Sequence, residues 1–305
     1  MAVRFDYAAA FGRNLGVLRD SEQFRLRQTT MALAGLGGAG GAHLQVLLRL
    51  GIQAFHLADP DRFELANLNR QWGASVETVG RTKVKTLAQL ARQINPEVHL
   101  RLFPDGVTPE NVAGFLDGAD LAVDAIDFFN IEARRMLMAN CRSRQVTVLL
   151  AAPVGFGASV LVFPAAGASF DEHFGLRDGM TRTEQLMAFA AGLGFGLTED
   201  VDFSRVDLLH GKGPAVGSAC LLAAAMTATE IVKLLGGRAP TPAAPYGFVF
   251  DPTQRRTVPL QRVPSLRDSE EGRGICESFF RRIPELRFLH ERELGLRGAS
   301  REELS

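Results

Sequence analysis

Four polar side chains in two short motifs have the types that bind phosphate groups. Asn67, Arg70 and Gln71 stand in the run NLNRQ, and Lys83 follows in GRTK. An acid that could hold Mg²⁺, Asp127, comes later in DAIDFF. When a carboxylate attacks the α-phosphate of ATP, two anions meet and pyrophosphate leaves, so cationic donors and a metal ion must compensate the charge. These residue types favour adenylation over hydride transfer.

The loop GLGGAG offers a place for the phosphates of a nucleotide. It carries a G-x-G-x-x-G pattern with one further glycine inside it, namely Gly35, Gly37, Gly38 and Gly40. Glycines let the backbone approach a phosphate closely, and the N-terminus of the helix that follows offers free N–H groups. Asp59 ends the next expected strand, where a carboxylate accepts hydrogen bonds from ribose hydroxyls. We therefore expect a nucleotide that contains a ribose.

Each of these residues also has a purely structural interpretation. The glycine loop could be a tight turn, and Asp59 could cap a loop. Arg70 and Lys83 could be solvated surface residues. Asp127 could be the N-cap of the helix that holds Glu132, a role worth about 1 kcal/mol. Their joint position at the carboxyl edge of one expected sheet favours the functional interpretation.

The elements that must position these residues follow an alternating pattern. Strand-length apolar runs lie at 30–34, 54–58, 98–103, 121–125 and 146–151, and helix-length segments at 39–50, 84–94, 109–116 and 130–141. Apolar strands that alternate with helices predict an α/β, doubly wound, Rossmann-like fold. Its sheet is expected to be mostly parallel, with helices on both faces.

After residue 151 the pattern changes. A strand is expected at 158–163, a helix at 216–235, and a short strand pair within 247–258, so antiparallel strands are added at the C-terminal part. Between them, 164–214 is Gly-rich and looks irregular, which is typical of a long crossover loop that contacts substrate. We expect one adenylation domain over 1–264 and a charged C-terminal tail over 265–305, helical or partly disordered.

Composition narrows the functional class. Lys and Arg total 34, as do Asp and Glu, so the formal net charge is zero and gives no field for nucleic acid or a membrane surface. Cys141, Cys220 and Cys276 are far apart and odd in number, which fits a reducing, cytoplasmic compartment. The N-terminus shows no signal-peptide pattern, and the uncharged runs 146–170 and 213–229 are interpreted as buried strands and a buried helix.

The order of the motifs resembles that of the ThiF/MoeB/HesA superfamily. The chain shows in turn GxGGxG, DPDxxxxxNLNRQ, GRTK, NPE and DAIDFF, and the similarity extends over about residues 11–262, to the late helix GSACLLAAAMTATEIVKLLGG. Members of this superfamily are relatives of ubiquitin-activating enzymes and adenylate the C-terminal carboxylate of a small protein or peptide. The resemblance therefore implies ATP and Mg²⁺ as cofactors. It implies a ubiquitin-like carrier protein, or a peptide with a free C-terminus, as partner.

The resemblance also implies roles for individual residues. The nucleotide-binding set would be Gly35, Gly37, Gly38, Gly40, Asp59, Asp61, Asn67, Arg70, Gln71 and Lys83. Asp127 would bind Mg²⁺. Arg13, in FGRNLG, matches an arginine that reaches the ATP of the partner subunit, which implies a homodimer with composite sites. The catalytic residues would then be Arg13, Asn67, Arg70, Lys83 and Asp127.

The chain departs from the superfamily pattern in its cysteines. Zinc-binding members carry two CxxC pairs, which this sequence lacks, so no zinc is expected. Members that form a thioester use a cysteine in the crossover segment, but none occurs from 164 to 213. Cys141 and Cys220 are expected to be small buried residues. Release of an acyl-adenylate to another nucleophile or enzyme is therefore favoured.

Two other functional classes stay open. An NAD(P)-dependent oxidoreductase shares the glycine loop but has no use for the NLNRQ run and Lys83. The second class is a non-catalytic nucleotide-binding scaffold, which the absence of the superfamily's cysteines favours. The presence of Arg70, Lys83 and Asp127 argues against a scaffold, because a protein that catalyses no reaction has no reason to keep a charged cluster in a cleft.

Overall fold

The centre of the fold is an eight-stranded sheet. The computed structural model describes residues 4–197, 201–208, 210–238 and 242–296. The strands are β1 (Thr30–Ala34), β2 (Ala54–Ala58), β3 (His99–Phe103), β4 (Leu121–Asp124), β5 (Thr147–Val154), β6 (Gly157–Phe163), β7 (Gly247–Asp251) and β8 (Arg256–Leu260). Their order is β3-β2-β1-β4-β5-β6-β7-β8, with β1 to β5 paired in parallel and β6 to β8 added antiparallel. This confirms the predicted sheet.

Helices cover both faces of the sheet. In chain order they are α1 (Tyr7–Phe11), α2 (Asp20–Gln28), α3 (Gly38–Arg49), α4 (Lys83–Ile94), α5 (Val112–Leu116), α6 (Ile131–Ser143), α7 (Phe170–Phe174), α8 (Arg182–Gly192), α9 (Gly217–Gly236), α10 (Glu270–Arg282) and α11 (Pro284–Glu293). Short 3-10 turns lie at Gly12–Asn14, Leu65–Asn67 and Phe203–Arg205. One core layer holds α3, α4 and α9, and the other holds α5 to α8 with α10 and α11.

The apolar spacing of the sequence explains this layering. In α4, Val84, Leu87, Ala88 and Ala91 are buried, which is the i, i+3, i+4, i+7 stripe of a helix that packs on a sheet. In β1 every residue after Thr30 is buried, as expected of a central strand covered on both faces. The predicted doubly wound α/β class is therefore confirmed.

The strand order reverses between β1 and β4. From β1 the chain proceeds outward to β2 and β3, and then returns to place β4 on the other side of β1. In open α/β sheets, ligands bind at such a reversal, in the crevice beyond the carboxyl ends of the strands. The loops after β1, β2 and β4 all begin at this edge.

The crossover segment is more ordered than the sequence suggested. The expectation of an irregular span over 164–214 is wrong in its first half, where α7 and α8 lie. Each helix starts with a capping box, Ser169 with Glu172 and Thr181 with Glu184, in which two orphan N–H groups are satisfied reciprocally. Residues 198–200 and 209 of the expected loop lie outside the described residues.

The charged segment after residue 264 contains two helices. Ser269 caps α10, and Phe279, Ile283 and Leu286 are buried in the same core layer as α8. The apolar stripe of these helices therefore continues the core. The domain boundary at 264 stays a prediction, and the last nine residues of the expected tail lie outside the described residues.

The helix α9 is long and apolar. Among the described residues, it alone meets the length and composition of a membrane-crossing helix, and half of that stretch is buried inside the protein. It packs against α3 and against β5 and β6. The core helix of a folded domain has the same composition, so the expectation that this chain has no membrane partner stays a prediction.

A buried carboxylate ties the N-terminal segment to the end of α9. Glu22 is 1% exposed and accepts two hydrogen bonds from the Arg238 guanidinium, at 2.6 Å each. It accepts two more from Arg19, one from the guanidinium at 2.7 Å and one from the backbone N–H at 2.8 Å. Arg19 also donates to the Gly236 carbonyl oxygen. The hydrogen bonds from Arg238, followed by those from Arg19, hold the pKa of Glu22 well below its usual range.

This cluster predicts a specific acid sensitivity. Because the pKa of Glu22 is lowered on folding, its stabilisation is complete above the pKa of the unfolded chain and is lost as the pH falls from about 5. We expect Glu22→Gln to lower the free energy of unfolding at pH 7 and the difference from the wild type to shrink below about pH 4. Urea titrations across pH measure this, with exposed Glu77→Gln as control. A constant difference from pH 7 to pH 3 would contradict the assignment.

Candidate active site

The glycine loop leaves β1 and packs against the end of β4. Gly35 has a φ of +90°, and a Cβ there would lie 2.2 Å from the Ala125 carbonyl oxygen. A Cβ on Gly40 would lie 1.9 Å from the Gly35 carbonyl oxygen. Both positions therefore require glycine. The loop is thus held against β4 at the start of α3, whose first N–H groups point out of the helix end.

Asp59 holds the same loop from the side of β2. Its Oδ2 accepts the Leu36 N–H at 2.6 Å, and its Oδ1 accepts the Asp61 N–H at 2.8 Å. Burial raises the pKa of Asp59, while the charge of Lys83 and these two N–H groups lower it. A carboxylate oxygen can accept more than one hydrogen bond, so Asp59 caps the loop and retains capacity for a ribose hydroxyl.

The NLNRQ run forms a tight turn that packs against the glycine loop, where a Cβ on Gly38 would lie 3.3 Å from Arg70 Cγ. Asn67 is buried, and its Oδ1 accepts the Glu64 N–H, so that its Nδ2 is the donor it can offer a ligand. Asn69 donates to the Ala215 carbonyl oxygen and accepts from Arg70 Nη1. Arg70 is thus steered by its neighbour while most of its donors remain free of these contacts. What the turn offers the cleft is hydrogen-bond donors, as an anionic ligand requires.

Two further polar side chains line the same region of the cleft. Gln71 is buried, and its Oε1 has no hydrogen-bond partner among the described residues, a condition that costs free energy unless a ligand or water completes it. Lys83 is 5% exposed, opens α4, and donates through Nζ to Asp61 Oδ2 at 2.8 Å. An ammonium group has three donors, so this bond to Asp61 leaves Lys83 with capacity for a phosphate.

Asp127 follows β4 and faces the cleft. It is exposed, and its Oδ1 accepts the Phe129 N–H at 3.0 Å. The N-cap of α6 is Asn130, whose side chain accepts the Ala133 N–H. The alternative interpretation of Asp127 as a helix cap is therefore wrong, because Asn130 fills that position. The carboxylate of Asp127 is available for another role.

A buried ion pair that the sequence did not predict lies beside this acid. Asp124 Oδ2 accepts from Arg134 Nη1 at 2.8 Å, and the two side chains are 0% and 6% exposed. Asp124 Oδ1 also accepts the Ile126 N–H, and Arg134 Nη2 donates to the Ile126 carbonyl oxygen. Burial raises the pKa of Asp124, opposed by the attraction of Arg134. The pair clamps the turn that presents Asp127. The spacing of ten residues, from the end of a strand into a helix, gave no recognisable signal.

These residues line one cleft of about 1140 Å³. The predicted site residues in its lining are Gly35, Gly37, Gly38, Asp59, Asp61, Asn67, Arg70, Gln71, Lys83 and Asp127. Gly40 is outside the lining and supports the loop from behind. Arg13 is exposed in the Gly12–Asn14 turn and does not line the cleft of its own chain. The structure therefore brings together all the predicted site residues except Gly40 and Arg13.

The cysteines take the positions expected of small buried residues. Cys141 and Cys220 are 0% and 1% exposed, and burial raises the pKa of both thiols, that of Cys141 to about 12. Cys220 touches the cleft from below the glycine loop, where a Cβ on Gly38 would lie 2.8 Å from its Sγ. A thiol with a raised pKa is a poor nucleophile at neutral pH.

A magnesium ion can be accommodated here only together with phosphate. In the ranges that the structure describes, no group of three or more His, Cys, Asp or Glu side chains could hold a metal ion. Mg²⁺ is usually bound by one or two carboxylates with substrate phosphates and water. Asp127, exposed in the nucleotide cleft with one oxygen not engaged by Phe129, fits that coordination. The absence of zinc stays a prediction.

The sequence is similar to that of a known protein family and of several characterised relatives. The profile of the ThiF family matches residues 11–272, and this chain belongs to that family. The chain is 34% identical over 126 residues to tRNA threonylcarbamoyladenosine dehydratase of Haemophilus influenzae, which covers 41% of this chain and 48% of that protein. It is 30% identical over 140 residues to sulfur carrier protein ThiS adenylyltransferase of Escherichia coli, covering 46% of this chain and 55% of that protein.

A solved structure agrees with the fold. E. coli TcdA, crystallised in complex with ATP, superposes with a TM-score of 0.57 at 21% identity and covers 78% of this chain and 98% of TcdA. The chain spans about half the length of the curated relatives that it matches first. Several named relatives are adenylyltransferases.

The ion pair beneath Asp127 should contribute to the free energy of unfolding. Asp124→Ala leaves the Arg134 charge buried without its partner, and we expect the free energy of unfolding to fall by about 3–5 kcal/mol. Replacing both residues, as Asp124→Ala with Arg134→Met, should recover most of this loss. Urea unfolding measures both. Asp117→Ala, which breaks an exposed pair with Arg101, should cost less than about 1 kcal/mol. Equal losses at Asp124 and Asp117 would refute the role of the buried pair.

Proposed function

We propose that this chain is an ATP-dependent adenylyltransferase that activates a carboxylate as an acyl-adenylate. The observation that carries the proposal is the meeting of Arg70, Lys83 and Asp127 in one cleft with a glycine loop at a helix N-terminus. A site that only binds a dinucleotide needs the glycine loop and an acid such as Asp59 that binds the ribose. Three charged groups around the phosphates add what phosphoryl chemistry needs.

The chemistry is distributed over residues of known position. Asp59 orients the ribose, and the first N–H groups of α3 with Asn67 Nδ2 hold phosphate oxygens. The substrate carboxylate attacks the α-phosphorus, the bond to the β-phosphate oxygen breaks, and pyrophosphate leaves. Arg70 and Lys83 neutralise the charge that gathers on the α-phosphate and on the leaving group. Asp127 would hold Mg²⁺, which would supply further charge compensation.

The substrate proposed is the C-terminus of a ubiquitin-like carrier protein or of a peptide. In support, relatives carry the names sulfur carrier protein adenylyltransferase and ubiquitin-like modifier-activating enzyme 5. The described residues place no thiol of ordinary acidity in the cleft, which favours release of the acyl-adenylate to another nucleophile or enzyme over a thioester step. A cytoplasmic location and a homodimer complete the proposal.

The nucleotide site can be tested one residue at a time. We expect Arg70→Ala and Asp127→Asn each to weaken binding of ATP with Mg²⁺ by about 10- to 100-fold, because the first removes a cationic partner of the phosphates and the second removes the negative charge that would hold Mg²⁺. Calorimetry measures the affinity, and pyrophosphate exchange with a carboxylate substrate should vanish in both variants. Arg81→Ala and Glu132→Gln change exposed residues next to the site but outside its lining and should bind ATP normally. Wild-type affinity in both site variants would reject the assignment.

Nucleotide choice separates the proposal from an oxidoreductase. A ligand that binds only the native state raises the melting temperature with its concentration. We expect ATP with Mg²⁺ to raise the Tm of the full chain at millimolar concentration or below, and NAD⁺ or NADP⁺ to leave it within error. A rise with NAD⁺ and none with ATP would assign the cleft to a dinucleotide.

Subunit complementation tests the role of Arg13. If Arg13 reaches the partner's site, co-expressed Arg13→Ala and Asp127→Asn chains form mixed dimers with one intact site each. With random pairing about half of the dimers are mixed, so about a quarter of all sites bind ATP tightly. Neither variant forms such sites alone. Calorimetric stoichiometry counts these sites. If Arg13 acts within its own chain, or not at all, mixing restores none beyond the sum of the separate variants.

A further inference from the structure

The cleft continues beyond the phosphate region into a second, apolar part. We call this the apolar chamber and define it by Phe128, Phe189, Phe195, Phe203, Phe279 and Ile283, all of which line the cleft. They come from the loop after β4, from α8 and the segment behind it, and from the C-terminal helices. None of these residues takes part in the proposed adenylation chemistry.

The apolar chamber adjoins the reacting centre directly. Phe128 follows Asp127, and its ring lies 5.2 Å from the ring of Phe189 and 5.7 Å from that of Phe195. The Arg134 guanidinium that pairs with Asp124 stacks 4.6 Å from the Phe189 ring centre. If a substrate carboxylate lies at an α-phosphate beside Asp127, the part of the substrate next to that carboxylate therefore contacts the apolar chamber.

The outer wall of the apolar chamber comes from α10 and α11. Phe279 lies 6.4 Å from Phe203, and the Arg282 guanidinium lies 5.4 Å from the Phe203 ring centre. Arg267, just before α10, pairs with buried Glu184 at the start of α8. A backbone N–H at the start of α8 donates to Glu293 of α11 at 3.0 Å. This wall lies largely past residue 272, where the match to the ThiF family ends.

The size and chemistry of the cleft indicate what fills the chamber. Pockets for one small molecule usually measure about 300–1,000 Å³, and this cleft of about 1140 Å³ offers more than a nucleotide needs. A tail of glycines would leave the half-buried rings of Phe128, Phe195 and Phe203 in contact with water. An apolar side chain would bury them and gain the hydrophobic free energy.

We infer that the apolar chamber selects substrates with a large apolar side chain on one of the last two residues before the activated carboxylate. This inference rests on the proposed function, since that function brings the carboxylate to Asp127. Phe128 links the two parts, so that seating the side chain places the carboxylate at the α-phosphate. The chamber thus determines specificity, and its residues take no part in the bond changes.

The inference is tested by peptide binding to the full chain. The chain is loaded with Mg²⁺ and α,β-methylene-ATP, which cannot transfer AMP, and titrated with N-acetyl-Gly-Gly, N-acetyl-Gly-Phe and N-acetyl-Phe-Gly in a calorimeter. We expect at least one phenylalanine peptide to bind about tenfold or more tighter than N-acetyl-Gly-Gly. Equal affinities, or no measurable binding of any of the three peptides, would overturn the inference.

Variants locate the preference in the chamber. Ala190→Leu fills the chamber from α8, and Phe195→Ala removes a half-buried wall residue, so both should reduce the preference to less than about twofold. Ala191→Leu makes the same change on the next residue of α8, outside the lining, and should keep it. Unfolding curves establish that each variant is folded. If Ala190→Leu does not fold, the test uses Phe195→Ala alone. A preference that survives both chamber variants would contradict the inference.

The two proposals fail in distinguishable ways. Pyrophosphate exchange with ATP at equal rates for the three peptides supports the adenylation chemistry and overturns the chamber inference. A phenylalanine preference in binding that is lost in the chamber variants, without any exchange, supports the chamber and overturns the chemistry.

Discussion

The Ala125 carbonyl oxygen occupies the space that any side chain at Gly35 would need, and this close approach sets the geometry of the cleft. It joins the loop after β1 to the end of β4, where the order of the strands reverses. Asp127 follows Ala125 by two residues. Gly40, the third residue of α3, fits against the Gly35 carbonyl oxygen only because it lacks a side chain. The glycine loop and Asp127 are thereby held on one rigid frame.

The charges of the site are arranged before any ligand arrives. Asp59 is tied to the loop through Leu36, Lys83 is held by Asp61, and Arg70 is steered by Asn69. Groups that are oriented in advance need little reorganisation when negative charge develops during the reaction. The buried pair of Asp124 and Arg134 extends this order below the surface, because it fixes the turn between β4 and Asp127.

The sequence predicted those parts of the site that depend on neighbouring residues. The glycine loop, Asp59 and the NLNRQ turn each lie within one strand, loop or turn, so their spacing carries the information. The pairing of Asp124 with Arg134 depends on how α6 packs against β4, and it left no local pattern. The helices α7 and α8 were overlooked although Ser169 and Thr181 begin capping boxes, because the glycines between them suggested a loop. The apolar chamber joins Phe128, Phe189 and Phe279 from distant segments, and only the folded chain brings them together.

Activation of a carboxylate by transfer of AMP is the central claim, and the fate of the α-phosphate tests it most directly. The full chain is incubated with Mg²⁺, with ATP labelled at the α-phosphate, and with candidate carrier proteins and peptides, and the products are examined by mass spectrometry. The account predicts that a carrier or peptide gains one AMP at its C-terminal carboxylate for each pyrophosphate released. ADP and phosphate as the only nucleotide products, or label that stays entirely on ATP with every candidate tested, would contradict it.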